Sequence, residues 1–137
     1  MCPDTKALLA YVKLELFFAA ICYYIKINPK PITAMAKKIA EQLIDTLVKS
    51  GVERIYAVTG DSLNEVNEAV RKNNQIKWIH VRHEETGAYA AAAEAQLTGR
   101  PGCCAGSSGP GHVHLINGLY DAHRSGAPVI AIASTIP

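Results

Sequence analysis

The sequence predicts an α/β fold: a doubly wound, mostly parallel sheet with helices on both faces, incomplete at its C-terminal end. Three observations predict it. Apolar or small-residue runs at 55–58, 76–81, 102–106 and 129–133 alternate with helix-patterned stretches, an order that lays helices against a parallel sheet. The last run, Val129-Ile130-Ala131-Ile132-Ala133, is continuously apolar, as a strand buried on both faces requires. The segments between runs are punctuated by Gly, Ser and Pro, which set turns.

Each element has its own signal. Ile39, Leu43, Leu47 and Val48 recur at helical spacing and predict a first helix, stopped by Gly51. Ile55-Tyr56-Ala57-Val58 is a first strand. After Thr59-Gly60-Asp61-Ser62, the spacing of Ser62 and Glu65 is that of a capping box, which opens a helix to about Lys72. Ile76 to Val81 is a second strand. A helix from His83 or Glu84 to Thr98 follows, favoured by its alanines and closed by Gly99. Gly102 to Gly106 is a third strand of small residues; beyond a Gly/Ser/Pro loop, one helix runs to about His123. Ser125-Gly126-Ala127-Pro128 then turns the chain into the fourth strand, and no helix follows to cover it.

The 137 residues suffice for one domain with an addition, or for part of one. With 49% hydrophobic and 19% charged residues the composition is that of a folded chain rather than a disordered one. Residues 1–34 hold four lysines against Asp4 and Glu15, whereas residues 35–137 hold ten basic and ten acidic side chains. A neutral globular part has no stripe to track phosphates, so no nucleic-acid partner is expected. Cys103 and Cys104 are adjacent and no Cys-x-x-Cys pair exists, which leaves zinc ligation and a disulfide framework unsupported; reduced, buried thiols in a cytoplasmic protein are expected, and no metal ligands.

Residues 1–34 read as foreign to the rest. Five of the nine aromatic residues lie there, and the uninterrupted apolar stretch Leu16 to Ile25 falls short of the roughly 20 residues a transmembrane helix needs. A weak membrane anchor, an uncleaved targeting segment and residues upstream of the true start compete as explanations. Met35, directly before the first patterned helix, favours the last. The expected organisation is therefore an extension over 1–34 and a truncated domain over 35–137.

Ligands of open α/β sheets bind beyond the carboxyl ends of the strands. Three segments lie there. Thr59-Gly60-Asp61-Ser62 taken alone reads as an ordinary strand–helix turn. Arg82-His83-Glu84-Glu85 offers two readings. One is acidic residues favoured by a helix dipole; the other is a carboxyl at the rim of an apolar cleft, its pKa raised by desolvation. Gly106-Ser107-Ser108-Gly109-Pro110-Gly111 is neither a dinucleotide fingerprint nor a Walker loop, but its glycines let a backbone approach a flat ligand. His112 and His114, two apart, do not share a helix face, which argues against a metal pair.

Taken together, four stretches resemble the N-terminal pyrimidine-binding domain of thiamine-diphosphate enzymes. They are Gly-Val-Glu-Arg-Ile-Tyr-Ala-Val-Thr-Gly-Asp-Ser (51–62), Val-Arg-His-Glu-Glu (81–85), Ala-Glu-Ala-Gln-Leu-Thr-Gly (93–99) and Gly-Pro-Gly-His-Val-His-Leu-Ile-Asn-Gly-Leu-Tyr-Asp-Ala (109–122). Within that superfamily the pyruvate oxidases are most similar, the quinone-linked pyruvate dehydrogenase among them. The resemblance implies that Glu84 is the catalytic glutamate. There it hydrogen-bonds N1′ of the cofactor's aminopyrimidine, favouring the tautomer whose exocyclic nitrogen removes the thiazolium C2 proton. It also implies cofactor-binding roles for Gly60, Asp61, His83, Gly109, Pro110, Gly111, His114 and Asn117.

The relatives hold the diphosphate and its Mg²⁺ in a separate C-terminal domain marked by Gly-Asp-Gly, which does not occur here. Their FAD site and membrane-binding tail lie in other regions too. Mg²⁺ and FAD are thus implied only for a full-length protein, together with pyruvate or another 2-keto acid as substrate and a dimer or tetramer of identical subunits. Its location would be cytoplasmic, with peripheral contact at the inner face of the cell membrane left open. The whole would oxidatively decarboxylate pyruvate to acetate and CO₂, this piece alone being inactive. An acetolactate-synthase-like carboligase and a non-catalytic interaction module are the alternatives.

Overall fold

Four short strands pair in parallel: β1 (Arg54–Ala57), β2 (Lys77–His80), β3 (Gly102–Gly106) and β4 (Val129–Ala133), in the order β2-β1-β3-β4. The computed structural model describes residues 36–135. The readings made for residues 1–34, including those for Cys2 and Cys22, lie outside the described residues. Ile55 stands opposite Trp78 on one side and Cys103 on the other, and Cys103 opposite Ile130.

Because side chains alternate along a strand, this register sorts the sheet into two faces. Ile55, Ala57, Cys103, Ala105, Ile130 and Ile132 share one face with residues of α1 (Ile39–Lys49) and α2 (Asn64–Asn73). Tyr56, Cys104 and Val129 share the other with α3 (Glu84–Thr98), the buried Leu115 and Leu119 of α5 (Ile116–Arg124). Helices therefore cover both faces, as the alternation of elements predicts. The chain leaves β1 through α2 on one face, then crosses back over β1 to β3 through α3 on the other. The winding direction reverses between β1 and β3, which opens a crevice at their carboxyl ends.

Several local expectations need correction. In α1 the buried stripe is Ile44 and Leu47, with Ala40 and Val48 beside it; Ile39 is 87% exposed and Leu43 lies at the margin. The two stripes differ by one helical step, and the sheet selects the one containing Ile44. The helix does end as expected, with Gly51 in the left-handed region at φ +92°. α2 runs slightly past Lys72 and turns at Asn74, which takes φ +59°. β4 is not buried on both faces: among the described residues it is a sheet edge, with Ala131 and Ala133 exposed.

The helix expected to reach His123 in one piece is two, α4 (Pro110–Val113) and α5. Between them the Leu115 N–H donates to His112 O at 3.3 Å, tightening the turn while the Leu115 side chain seats in the second core. α5 crosses α3 closely at Gly118, where a Cβ would stand 2.5 Å from Ala88 Cβ. Cys103 and Cys104 are free and buried, and burial pushes both thiols up to about 12. No helix of the described residues is long and apolar enough to cross a membrane.

Candidate functional site

The carboxyl ends of β1, β3 and β4 are tied together by serine hydroxyls. Ser62 Oγ accepts the Ser108 N–H at 3.0 Å and lies 2.7 Å from Ser134 Oγ. Ser134 Oγ in turn donates to Gly106 O at 3.2 Å. Ser62 therefore does not cap α2 in the expected box: a 3₁₀ turn (Asp61–Leu63) precedes that helix, and Glu65 pairs instead with Lys38 at 2.9 Å. The hydroxyl serves better here because the Ser108 amide sits at the tip of a loop and has no strand partner.

Ser107 fills the crevice between the two turns. A Cβ on Gly60 would meet Ser107 Oγ at 2.7 Å, and a Cβ on Gly111 would meet the same atom at 2.7 Å. Both glycines are thus sites of close approach, and Gly111 brings its backbone up to Glu84, whose Oε1 would be 3.3 Å from such a Cβ. Gly109 precedes it at φ +74°, a conformation that favours glycine, and Pro110 opens α4 with its fixed φ.

Glu84 is the first residue of α3 and is only 9% exposed. Its Oε2 lies 3.1 Å from His114 Nδ1, across the crevice at the end of α4. The His114 ring stacks on His83, centroids 4.5 Å apart and planes 25° from parallel. His83 caps α3, its Nδ1 accepting the Glu85 N–H at 3.3 Å. Burial is the largest single influence on the Glu84 carboxyl and pushes its pKa up. The His114 hydrogen bond, the residue's own backbone amide, and the charges of His114 and His83 together outweigh it. The net direction is down, opposite to the expectation from desolvation, chiefly because His114 reaches the carboxyl from an element that spacing along the chain does not connect.

The structure brings together Glu84, His83, His114 and Gly111, with Gly109 and Pro110 leading into the same loop and Gly60 joined to it through Ser107. Asp61 is exposed, and no hydrogen bond or ion pair ties it to Glu84 among the described residues. Asn117 Nδ2 donates to Glu85 Oε1 at 3.2 Å rather than to Glu84. Ser107, Ser62 and Ser134 are the contributors that sequence reasoning missed. A serine in a glycine-rich loop carries no signal of its own, and Ser134 pairs with Ser62 across 72 positions.

An acidic group against a glycine-lined backbone at a sheet's switch point suits a flat, nitrogen-bearing heterocycle. Residues 37–137 match the family model described as thiamine pyrophosphate enzyme, N-terminal TPP binding domain. The chain is 58% identical over 100 residues (73% of this chain, 25% of the relative) to an uncharacterized 42.6 kDa protein in the isoamylase 3′ region of Pseudomonas amyloderamosa. It is 48% identical over 91 residues (66% of this chain, 15% of the relative) to pyruvate oxidase of Lactiplantibacillus plantarum. To the chloroplastic acetolactate synthase of Arabidopsis thaliana it is 36% identical over 101 residues, 74% of this chain and 15% of the relative. The chain thus spans a quarter or less of the length of these relatives. It belongs to the thiamine pyrophosphate enzymes, and residues 37–137 correspond to their N-terminal TPP-binding domain.

Proposed function

We propose that Glu84 is the group that hydrogen-bonds the ring nitrogen of the aminopyrimidine in bound thiamine diphosphate. The chain would then be the pyrimidine-binding part of a longer enzyme that oxidatively decarboxylates pyruvate to acetate and CO₂. One observation carries this reading: a nine-tenths-buried carboxyl lies against the side-chain-free backbone of Gly111, where a Cβ would stand 3.3 Å from Oε1. The residues present fit the group. Glu84 offers an oxygen to a ring nitrogen, and Gly109, Pro110 and Gly111 offer backbone to a flat ring. Ser107 holds that loop against Gly60, and the His83–His114 stack walls the crevice. Thiamine diphosphate, when bound, supplies the electron sink for decarboxylation of a 2-keto acid.

Under this reading Glu84 holds or shares a proton at its carboxyl, and His114 controls where that proton lies by donating to Oε2 or releasing it. Asp61 would lie toward the substrate and Asn117 would steady Glu85 at the mouth. Mg²⁺ and FAD would be bound by other regions of the longer protein, which would act as a dimer or tetramer in the cytoplasm, with peripheral membrane contact outside this chain.

Greater identity to the pyruvate oxidase, 48% against 36% for the acetolactate synthase, supports oxidation over carboligation. The acetolactate synthase aligns over more of this chain, so a carboligase is the second reading. In the longer protein, Glu84→Gln is expected to lower turnover of pyruvate about 10²–10⁴-fold, the range for loss of a positioned proton-transfer group. Acetate as product supports the oxidase, acetolactate the carboligase. Undiminished turnover in Glu84→Gln overturns both.

A further inference from the structure

We propose that His83, Glu84 and His114 form a binding site for a divalent transition-metal ion such as Zn²⁺ or Co²⁺. Each residue offers one ligand atom, and the three atoms lie within 4.8 Å of one another. Two imidazole nitrogens and one carboxylate oxygen suit Zn²⁺ and its neighbours, whereas Mg²⁺ and Ca²⁺ prefer all-oxygen shells. Tetrahedral Zn²⁺ with bonds of roughly 2.0–2.2 Å sets its ligand atoms about 3.3–3.6 Å apart. The 3.1 Å between His114 Nδ1 and Glu84 Oε2 is close to that spacing, so an ion replaces the proton the pair now shares. His83 has further to move. Its ring is partly exposed, and ligation would exchange its stacking on His114 and its 3.3 Å contact with the Glu85 amide for the bond to the ion.

The three ligands come from two separate places in the chain, the start of α3 and the end of α4, and the fold holds them face to face. His112, whose spacing from His114 argued against a metal pair, indeed points elsewhere, its Nδ1 3.1 Å from Ser134 O. The positive end of α3 opposes a cation here, and Glu85, with Oε2 3.9 Å from His83 Nδ1, offsets it with a second carboxylate. Two side chains, His83 and His114, are open enough to leave a fourth position for water. Because Glu84 is a ligand, a bound ion and the hydrogen bond proposed above for that carboxyl exclude each other; metal binding itself does not depend on that proposal.

The test is a Co²⁺ titration of the full 137-residue chain carrying Cys2→Ser and Cys22→Ser, so that terminal thiols bind nothing, read by visible absorption and calorimetry. One Co²⁺ per chain is expected, with the visible bands of nitrogen–oxygen ligation, displaced by Zn²⁺. His83→Ala and Glu84→Gln should each weaken binding roughly tenfold or more, since even loss of a group that only orients a ligand costs that much. His123→Ala, at the far end of α5, should leave it unchanged. Circular dichroism confirms the fold of each variant, and the exposed His83 keeps the experiment decisive if Glu84→Gln is unstable. Absence of saturable binding to the folded chain, or equal affinity in His83→Ala, overturns the proposal.

Discussion

Gly118 gives the sharpest test of how α3 and α5 pack, because two physical effects predict opposite signs for Gly118→Ala. Helix propensity alone favours alanine over glycine by about 0.8–1 kcal/mol in a helix interior, so the variant would be more stable. The structure puts the new Cβ 2.5 Å from Ala88 Cβ, 2.7 Å from Tyr89 N and 2.9 Å from Ala88 C. Carbon pairs rest at about 3.5–4.0 Å, so α5 must retreat by roughly 1 Å. The neighbouring atoms belong to backbone or to a methyl with no rotamer to change, and neither can give way. Overpacking of this kind costs about 1–3 kcal/mol. The packing cost equals or exceeds the propensity gain, leaving a net destabilisation of up to about 2 kcal/mol. For a domain of this size that lowers Tm by up to roughly 15 °C. Urea and thermal unfolding of the 137-residue chain measure it. In the double variant Gly118→Ala/Ala88→Gly the loss should be smaller than the sum of the single losses, since the Cβ–Cβ overlap is gone. A stabilised Gly118→Ala would refute the packing argument outright.

Four further outcomes are expected. Glu84 is held below the ordinary carboxylate range when folded, so it contributes stability that is present above the unfolded value and lost as pH falls below about 4.3 toward the folded one; Glu84→Gln should flatten that part of the acid unfolding curve. His114→Ala removes the hydrogen bond and leaves burial as the main influence, so the Glu84 carboxyl resonance should titrate at higher pH than in the parent. Ser62→Ala should cost about 1–2 kcal/mol by orphaning the Ser108 amide, whose hydrogen exchange should quicken while the first amides of α2 keep their rates. With Cys2 and Cys22 replaced, no thiol should react with a disulfide reagent until the chain unfolds, because Cys103 and Cys104 are buried and pushed up to about 12.

What was legible in the sequence followed from periodicity. Four parallel strands and helices on both faces can be read from where apolar runs start and stop, because a doubly wound sheet needs that alternation. Gly51 and Gly99 likewise mark helix ends through their own backbone freedom. The errors arose where a residue's environment is set by a remote element. Ile39 and Leu43 satisfy helical spacing as well as Ile44 and Leu47 do, and only the placement of the sheet decides which stripe is buried. Ser62 has the chemistry and spacing of a cap, yet Ser108 and Ser134 compete for its hydroxyl from two other loops.

The charge of Glu84 shows the same limit in the site itself. From the sequence its surroundings are small and apolar, Gly87, Ala88, Ala90, Ala91, Ala92 and Ala93, and burial is the largest single influence on it. The influences that reverse the outcome are His114, which arrives from the end of α4, then the residue's own backbone amide, and last the charge of the adjacent His83. Removing His114 from the carboxyl, by mutation or by a ligand that takes its place at Oε2, leaves burial dominant and makes the protonated form easier to reach. On the reading proposed above, a ring nitrogen taking the place of His114 at Oε2 would act in the same direction.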